Sequence, residues 1–177
     1  VELAAPPQAV IFDMDGLMLD SERALLGCLA QAGAEAGHAL PEAFLLSLIG
    51  SSDALTRQRI AEQVGADAVD ALLQDSYARY ERLVAAGVPH RPGIIDLLDT
   101  LVVHGVPRAV ATSTRRPLAL RKLESAGLLR YFEHVPTSSD VARPKPAPDI
   151  YLLAAARLGV EPRHCLAAVD EQLRADR

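Results

Sequence analysis

The sequence predicts an α/β protein with a parallel sheet core and a small all-helical insert after its first strand. Three observations predict this class. A short apolar segment, "QAVIF", comes first, and a block of about 65 residues with apolar positions at helical spacing follows it. Strand and helix patterns then alternate over short distances, as in βαβ units. Residues 1–19 and 89–177 are therefore expected to form the core, and residues 20–88 the helical domain.

Composition permits a sizeable apolar core and excludes several classes of protein. Half of the 177 residues are apolar, and the formal net charge is −5, which argues against binding nucleic acid by phosphate neutralisation. No apolar run reaches the roughly 18 residues of a transmembrane helix. The N-terminal "VELAAPPQ" lacks the basic region of a signal peptide. We therefore expect a cytoplasmic protein that binds neither nucleic acid nor a membrane. A monomer or weak homodimer is the expected assembly, although nothing in the composition determines it.

The insert contains four helical patterns and no strand signal. "SERALLGCLAQAGAEAG" has apolar residues at helical spacing, and "PEAFLLSLIG" opens with Pro and closes with Gly. "SSDALTRQRIAEQVG" begins with capping residues and ends in Gly. "ADAVDALLQDSYARYERLVAAG" is the longest pattern.

The second half of the chain alternates helix and strand patterns. They are a helix in "GIIDLLDTLVVHG", a strand in "PRAVATST", a helix in "RRPLALRKLESAGL", a short strand in "FEHVPTSS", a helix in "PAPDIYLLAAARLG" and a strand in "HCLAAV".

Acidic residues crowd the end of the first strand, in "FDMDG". Asp13 and Asp15 are two residues apart in an extended segment, so both carboxylates project to the same side, and Gly16 permits a tight turn. Ligands of open parallel sheets bind at this end of the strands. Two close carboxylates need a cation or a shared proton, and Mg²⁺ suits oxygen ligands beside a phosphate. The alternative is an acidic turn that caps the next helix.

Two further motifs follow other predicted strands. The hydroxyls and turn amides of Thr112, Ser113 and Thr114 are suited to phosphate oxygens, although the same residues also suit an ordinary helix N-cap. Lys145, in "RPKPAPD", is a compact charge between two prolines and is suited to phosphate, or is a solvated surface lysine. Arg116 either reaches a substrate or is exposed at a helix start. The shared placement of the three motifs favours a common site.

The stretches "FDMDGLMLDSE", "VATSTRR" and "KPAPDIYLLAAARLGV" together resemble the haloacid dehalogenase (HAD) superfamily, and within it the β-phosphoglucomutase-like phosphatases and mutases with a helical cap. The resemblance implies a Rossmann-like core and a Mg²⁺-dependent phosphomonoester hydrolase. It implies that Asp13 is the nucleophile, forming an aspartyl-phosphate, and that Asp15 is the general acid and base. Thr112 would hydrogen-bond the phosphoryl group, and Lys145 would neutralise charge on the nucleophile and on the phosphate.

The resemblance also implies the ligands of the metal and of the substrate. Mg²⁺ would be bound by the side chain of Asp13, the backbone carbonyl of Asp15 and an acid of a fourth motif. Gly16, Ser113, Thr114 and Arg116 are expected at the substrate. The substrate would be a small phosphorylated metabolite: a sugar phosphate, phosphoglycolate or a nucleoside monophosphate. A second acid is needed when an alcohol leaves and not when a halide leaves, so Asp15 favours a phosphate ester.

The chain departs from the family pattern at the fourth motif. In "CLAAVDEQLRADR", Val169 takes the place of the expected first acid and Asp170 that of the second. Either Asp170 ligates the metal in a weakened site, or residues are missing between "CLA" and a later segment. We favour the second account, in which the C-terminal part of the core and the true ligand are missing. The first account keeps open a catalytically impaired protein that binds a phosphorylated ligand.

A second departure concerns the predicted cap loop, "LIGSSDALTRQ". Asp53 stands where sugar-phosphate mutases of this group place an Arg that holds a second phosphate. An acid there would repel a bisphosphate intermediate. We therefore expect a phosphatase, with a hexose-phosphate mutase as the alternative.

Overall fold

The computed structural model of the protein describes residues 6–169. Within this range the chain divides into two compact units. The first takes in the chain up to Asp20 and from Gly87 onward, and the second is formed by Ser21–Ala86. The predicted α/β class with a parallel sheet is confirmed in the first unit.

Three strands form a parallel sheet in the order β2-β1-β3: β1 is Ala9–Phe12, β2 is Arg108–Val110 and β3 is Cys165–Ala168. Phe12, the last residue of the central strand β1, is in register with Val110 of β2 and with Ala168 of β3. All four residues of β1 are buried, as expected of a strand with both faces covered. The residue that follows β1 therefore lies at the middle of the carboxyl edge of the sheet.

The segment "FEHVPTSS" does not form the regular strand that its sequence predicts. It makes two isolated parallel bridges, Ala109 to His134 and Thr112 to Thr137. Val110 donates its N–H to the carbonyl of His134, 3.0 Å away. Pro136 lies between the two bridges and has no N–H to donate, so a continuous ladder cannot form there.

Three helices accompany the sheet: α5 is Ile94–Val103, α6 is Arg116–Ser125 and α7 is Asp149–Leu158. Ile150, Ala154 and Ala155 of α7 pack in one apolar cluster with Ile11 of β1 and Ala109 of β2. The small alanine side chains permit close approach of the helix to the strands. Asp149, at the start of α7, thereby fixes the end of the "RPKPAPD" loop near the sheet.

The second unit consists of four helices, as predicted: α1 is Ser21–Glu35, α2 is Glu42–Leu46, α3 is Asp53–Val64 and α4 is Val69–Ala86. Its core is built from Leu, Ile, Val and Ala side chains of all four helices and the loop after α2, namely Leu29, Ala32, Leu45, Leu48, Ile60, Val64, Val69 and Leu72. The Asp53 side chain lies outside the described part. Within residues 6–169, every helix is too short or too polar to cross a membrane.

Gly87 illustrates how tightly the first unit is packed. Its φ is +109°, and a Cβ at this position would lie 2.9 Å from the carbonyl oxygen of Ser125. Gly105 has φ +63° but open space where a Cβ would be. Both positions favour glycine for their backbone conformation, and only Gly87 also requires it for space.

We therefore expect Gly87→Ala to lower the free energy of unfolding by about 2–3 kcal/mol, and Gly105→Ala by about 1–2 kcal/mol, the cost of a left-handed backbone alone. Urea titration of both variants followed by circular dichroism measures the difference. Equal losses would show that the contact with Ser125 relaxes without cost.

Candidate active site

Asp13 is the first residue after β1 and is held there by the backbone of the sheet. Its N–H donates to the carbonyl of Ala168, at 2.9 Å, which extends the pairing of β1 with β3 by one residue. Its own Oδ1 accepts the N–H of Met14 at 2.8 Å. Only 7% of the residue is exposed. The carboxylate is thus fixed in orientation at the centre of the carboxyl edge, where the sequence predicts it.

Lys145 reaches this carboxylate from the loop before α7. Its Nζ lies 2.9 Å from Asp13 Oδ2, and the two side chains are 6% and 9% exposed. Burial raises the pKa of Asp13, and Lys145 and the Met14 N–H oppose that shift without cancelling it. The Lys145 ammonium also lies 4.9 Å from the centre of the Tyr151 ring, a distance typical of a cation–π contact. The predicted pairing of Lys145 with Asp13 is therefore present.

Asp15 has different partners from Asp13. Lys122 Nζ lies 2.8 Å from Asp15 Oδ1, and Thr114 Oγ1 donates to Asp15 Oδ2 at 2.7 Å. The Lys122 side chain is 6% exposed, whereas that of Asp15 is 28% exposed. The negative charge of Asp15 also contributes to the raised pKa of Asp13, so the two carboxylates are close enough to interact. Both acids contact a lysine, but Asp13 is buried whereas Asp15 is more open to solvent.

Gly16 makes the turn that the sequence predicts. Its φ is +78°, a conformation that glycine adopts at little cost. Its N–H donates to the carbonyl of Leu19, and the N–H groups of Met18 and Leu19 both donate to the carbonyl of Met14. The chain therefore reverses immediately after Asp15, which fixes the backbone on both sides of that residue.

The three hydroxyl residues after β2 have three different environments. Thr112 is 1% exposed, and its Oγ1 accepts the N–H of Thr114 at 3.1 Å. Ser113 is exposed, and Thr114 is half-buried against Asp15. Ala111, one residue before them, donates its N–H to the carbonyl of Phe12 at 2.8 Å. The turn that the sequence predicts as a phosphate loop thus lies beside the end of β1.

Arg116 is engaged elsewhere. Its Nη2 lies 2.8 Å from both carboxylate oxygens of Asp140 and 3.3 Å from the carbonyl of Val135. Asp140 also accepts from the N–H and the hydroxyl of Thr137, which completes a capping box. The structure thus gives Arg116 a partner, Asp140, that links α6 to the segment following that helix, and the predicted contact of Arg116 with substrate stays a prediction. Asp170, the predicted metal ligand, lies outside the described residues.

Lys122 is a contact of Asp15 that the sequence reasoning missed. It lies on the buried face of α6 with Ala119 and Leu123. A lysine in the apolar stripe of a helix is unusual, because lysine is almost never buried without a partner. A second signal is composition: of 18 basic residues only Lys122 and Lys145 are lysines. The structure places one lysine on each acid of "FDMDG".

The residues at this edge fit a hard divalent cation in part. The carboxylate of Asp13 and the backbone carbonyl of Asp15 are oxygen donors, the type that Mg²⁺ prefers. The raised pKa of Asp13 means that Lys145 leaves its buried charge incompletely compensated, and a further cation would compensate it. Within residues 6–169 no group of three or more acidic, histidine or cysteine side chains is placed so that it could hold a metal ion.

Comparison with known proteins gives consistent matches over most of the chain. A protein-family model described as haloacid dehalogenase-like hydrolase matches residues 7–168. Hexitol phosphatase A of Escherichia coli is 33% identical over 163 residues, covering 90% of this chain and 73% of that protein. A HAD family hydrolase from Deinococcus radiodurans, solved with bound phosphate and sodium, is 30% identical with a TM-score of 0.77, covering 92% of this chain and 72% of that one.

A second solved structure belongs to a Thermotoga maritima protein provisionally assigned as a β-phosphoglucomutase. It is 26% identical with a TM-score of 0.77, and the match covers 90% of this chain and 74% of that one.

The ion pair of Asp140 makes stability depend on pH. Burial would raise the pKa of Asp140, but hydrogen bonds from Thr137 and Arg116 outweigh it and lower the pKa to about 2. A lowered pKa in the folded state contributes stability above the unfolded value of 3.8, and that contribution is lost as pH falls toward 2.

We therefore expect Asp140→Asn to lower the free energy of unfolding by about 2 kcal/mol at pH 6, and by much less at pH 2.5. Denaturant titration at the two pH values measures this. Asp67→Asn, at an exposed position, is the control and is expected to change stability by less than about 0.5 kcal/mol at either pH. A pH-independent loss in Asp140→Asn would contradict the assignment.

Proposed function

Since the chain belongs to the haloacid dehalogenase-like hydrolases, we propose that this enzyme hydrolyses phosphate monoesters of small sugar-type metabolites through an aspartyl-phosphate on Asp13. The observation that carries the proposal is the pair formed by Asp13 and Lys145 at the carboxyl end of the central strand, with a second acid two residues later. This arrangement supplies a nucleophile, a cation for phosphate charge and a proton donor within one edge of the sheet.

In the first step an oxygen of Asp13 attacks phosphorus, and the bond from phosphorus to the alcohol oxygen breaks. The Met14 N–H and Lys145 favour the ionised nucleophile and hold its plane, whereas burial keeps water away from it. Lys145 also offsets negative charge on the phosphoryl group in the transition state. Asp15 gives its proton to the departing alcohol oxygen.

In the second step water attacks the phosphorus of the aspartyl-phosphate. Asp15, now a carboxylate, takes a proton from that water, and inorganic phosphate leaves. Asp13 returns to its carboxylate form, so the cycle balances without any other reactant. Asp15 is suited to this role because it is more exposed than Asp13 and is therefore accessible to both the alcohol and the water.

The phosphoryl oxygens are proposed to bind the turn after β2. Thr112 and Ser113 supply the hydroxyl donors beside the end of β1, and Gly16 has no side chain to obstruct the phosphate. The Thr114 hydroxyl donates to Asp15, so the predicted contact of Thr114 with substrate stays a prediction. The phosphate bound in the Deinococcus radiodurans hydrolase supports a phosphate site in a protein with this fold.

Family membership also supports a divalent metal, since these hydrolases typically use one. We propose Mg²⁺, held by the carboxylate of Asp13 and the backbone carbonyl of Asp15, with Asp170 as a candidate beyond the described residues. When bound, Mg²⁺ would compensate the negative charges of the phosphate and of Asp13. The helical unit, residues 20–88 by sequence, is proposed to be the cap domain of this group.

The substrate class is proposed from the relatives. The name of hexitol phosphatase A indicates that its substrate is a phosphorylated sugar alcohol. This supports a sugar or polyol phosphate over phosphoglycolate or a nucleoside monophosphate as the substrate here. The likeness to a protein assigned as a β-phosphoglucomutase keeps one alternative, a hexose-phosphate mutase with the same aspartyl-phosphate. The two are separated by product, because a phosphatase releases inorganic phosphate and a mutase returns an isomeric sugar phosphate.

We expect Asp13→Asn to lower phosphate release from p-nitrophenyl phosphate by roughly 10³-fold or more, because the amide cannot replace the carboxylate as a nucleophile. Asp96→Asn, an exposed acid on α5, is the matched control and should keep its activity. Phosphate is measured colorimetrically in the presence of Mg²⁺. Full activity in Asp13→Asn would refute the assignment of the nucleophile.

Removal of divalent metal by a chelator tests whether the reaction depends on it. Treatment with EDTA followed by dialysis is expected to reduce turnover to the background rate, and addition of Mg²⁺ to restore it, with an equal ionic strength of NaCl as the control. Turnover that survives chelation unchanged would contradict a metal-dependent reaction.

A further inference from the structure

We propose that Lys122 and Thr114 are positioning residues that hold the Asp15 carboxylate for proton transfer to and from the reacting oxygens. The inference rests on the proposed function, since it assigns roles around the same acid. It extends that function to a lysine outside the motifs by which the sequence resembles its family.

The first argument is geometric. Lys122 Nζ contacts one carboxylate oxygen of Asp15 at 2.8 Å, and Thr114 Oγ1 contacts the other at 2.7 Å. Two contacts on the two oxygens of one carboxylate fix the rotation of its plane. A single contact would leave that plane free to turn about the Cβ–Cγ bond, which is a soft torsion. Because Asp15 is partly exposed, its orientation depends on these contacts more than on packing.

The second argument concerns the cost of burying Lys122. Its ammonium is almost fully removed from solvent, on a helix face that it shares with Ala119 and Leu123. Removing an ammonium from water costs several kcal/mol unless a partner compensates it. A methionine would fill the same apolar space without that cost. Fold stability alone therefore does not explain a lysine at this position, whereas a role toward Asp15 does.

The third argument concerns the choice of lysine over arginine. The chain uses arginine for 16 of its 18 basic residues, and its two lysines contact Asp13 and Asp15 respectively. Lysine is a compact point charge, whereas arginine presents a wide planar fork that often binds both oxygens of a carboxylate. Only a compact cation leaves the second oxygen of Asp15 for Thr114 and for a reacting group.

These contacts also indicate which oxygen carries the proton. An ammonium only donates hydrogen bonds, so Oδ1, beside Lys122, is the less suitable carrier. Oδ2 can bear the proton and still accept the hydroxyl hydrogen of Thr114. In the first step the Asp13–phosphorus bond forms, the bond from phosphorus to the alcohol oxygen breaks, and the proton moves from Asp15 Oδ2 to that oxygen. In the second step the bond from the water oxygen to phosphorus forms, the Asp13–phosphorus bond breaks, and Oδ2 takes a proton from that water.

The test compares two esters of similar shape whose leaving groups differ in their need for a proton. Phenyl phosphate needs protonation of its leaving oxygen much more than p-nitrophenyl phosphate does. The ratio kcat/KM reports the steps up to release of the phenol, so it isolates the first proton transfer. We expect Lys122→Met to lower kcat/KM for phenyl phosphate at least about tenfold and that for p-nitrophenyl phosphate less than about threefold.

Thr114→Val tests the other contact of Asp15. Its interpretation does not depend on whether the protein folds when the buried Lys122 is replaced. It is expected to show the same selectivity, with a smaller loss on phenyl phosphate, about fivefold. In an Asp15→Asn background, Lys122→Met is expected to cause no further selective loss, because the acid that it positions is absent. Arg121→Met, which removes an exposed charge from the same helix, is the control and should leave both esters unaffected.

The outcomes separate this inference from the proposed function. If Lys122→Met folds and loses both esters equally, or loses neither, the positioning role is wrong while the phosphatase assignment stands. If Lys122→Met fails to fold, the selectivity of Thr114→Val decides: a selective loss supports positioning of Asp15, and an unselective one overturns it. If the unaltered enzyme with Mg²⁺ hydrolyses neither ester, the proposed function itself has failed.

Discussion

The site depends on one buried interaction, the pairing of the Asp13 carboxylate with the Lys145 ammonium. A carboxylate at this depth is costly without a cation, and removal of either partner would leave an uncompensated charge. The pair joins two parts of the chain that are far apart in sequence. β1 supplies the acid through its pairing with β3, and the loop before α7 supplies the lysine, with α7 packed against the same strands. The folded core thus buries the carboxylate and also places beside it the ammonium that compensates its charge.

A second pair, Asp15 with Lys122, repeats this chemistry with a different degree of burial. Asp13 is enclosed, which suits a nucleophile that must be kept from water until phosphorus arrives. Asp15 is more exposed, which suits a group that exchanges protons with an alcohol and then with water. In the proposed mechanism, two carboxylates of identical chemistry, two residues apart, therefore take different roles because of their surroundings, and the turn at Gly16 follows directly after the second.

Much of this architecture could be predicted from the sequence because it rests on local signals. Apolar runs, capping residues and glycines placed the three strands and the helices, and "FDMDG" placed two acids at the end of the first strand. The bridges around Pro136 were not predicted, because an extended segment and a regular strand have similar apolar patterns.

The contacts of Lys122 and Arg116 were also beyond the sequence. Lys122 lies 107 residues from Asp15, and Arg116 lies 24 residues from Asp140, so only the folded chain brings them together. A lysine within an apolar stripe was the sole local sign of the first contact. The acids and the turn were thus accessible to motif reasoning, whereas the partners that orient them were not.

The central claim is that a phosphoryl group passes through Asp13. It is tested most directly in Asp15→Asn, in which attack on p-nitrophenyl phosphate can proceed but the base for the second step is missing. The variant is mixed with this ester and Mg²⁺, quenched in acid, digested and analysed by mass spectrometry. The account predicts a phosphoryl group on the peptide that contains Asp13, in near-stoichiometric amount, and none in the Asp13→Asn, Asp15→Asn double variant. A phosphoryl group on another residue, or release of phosphate without any labelled peptide, would contradict it.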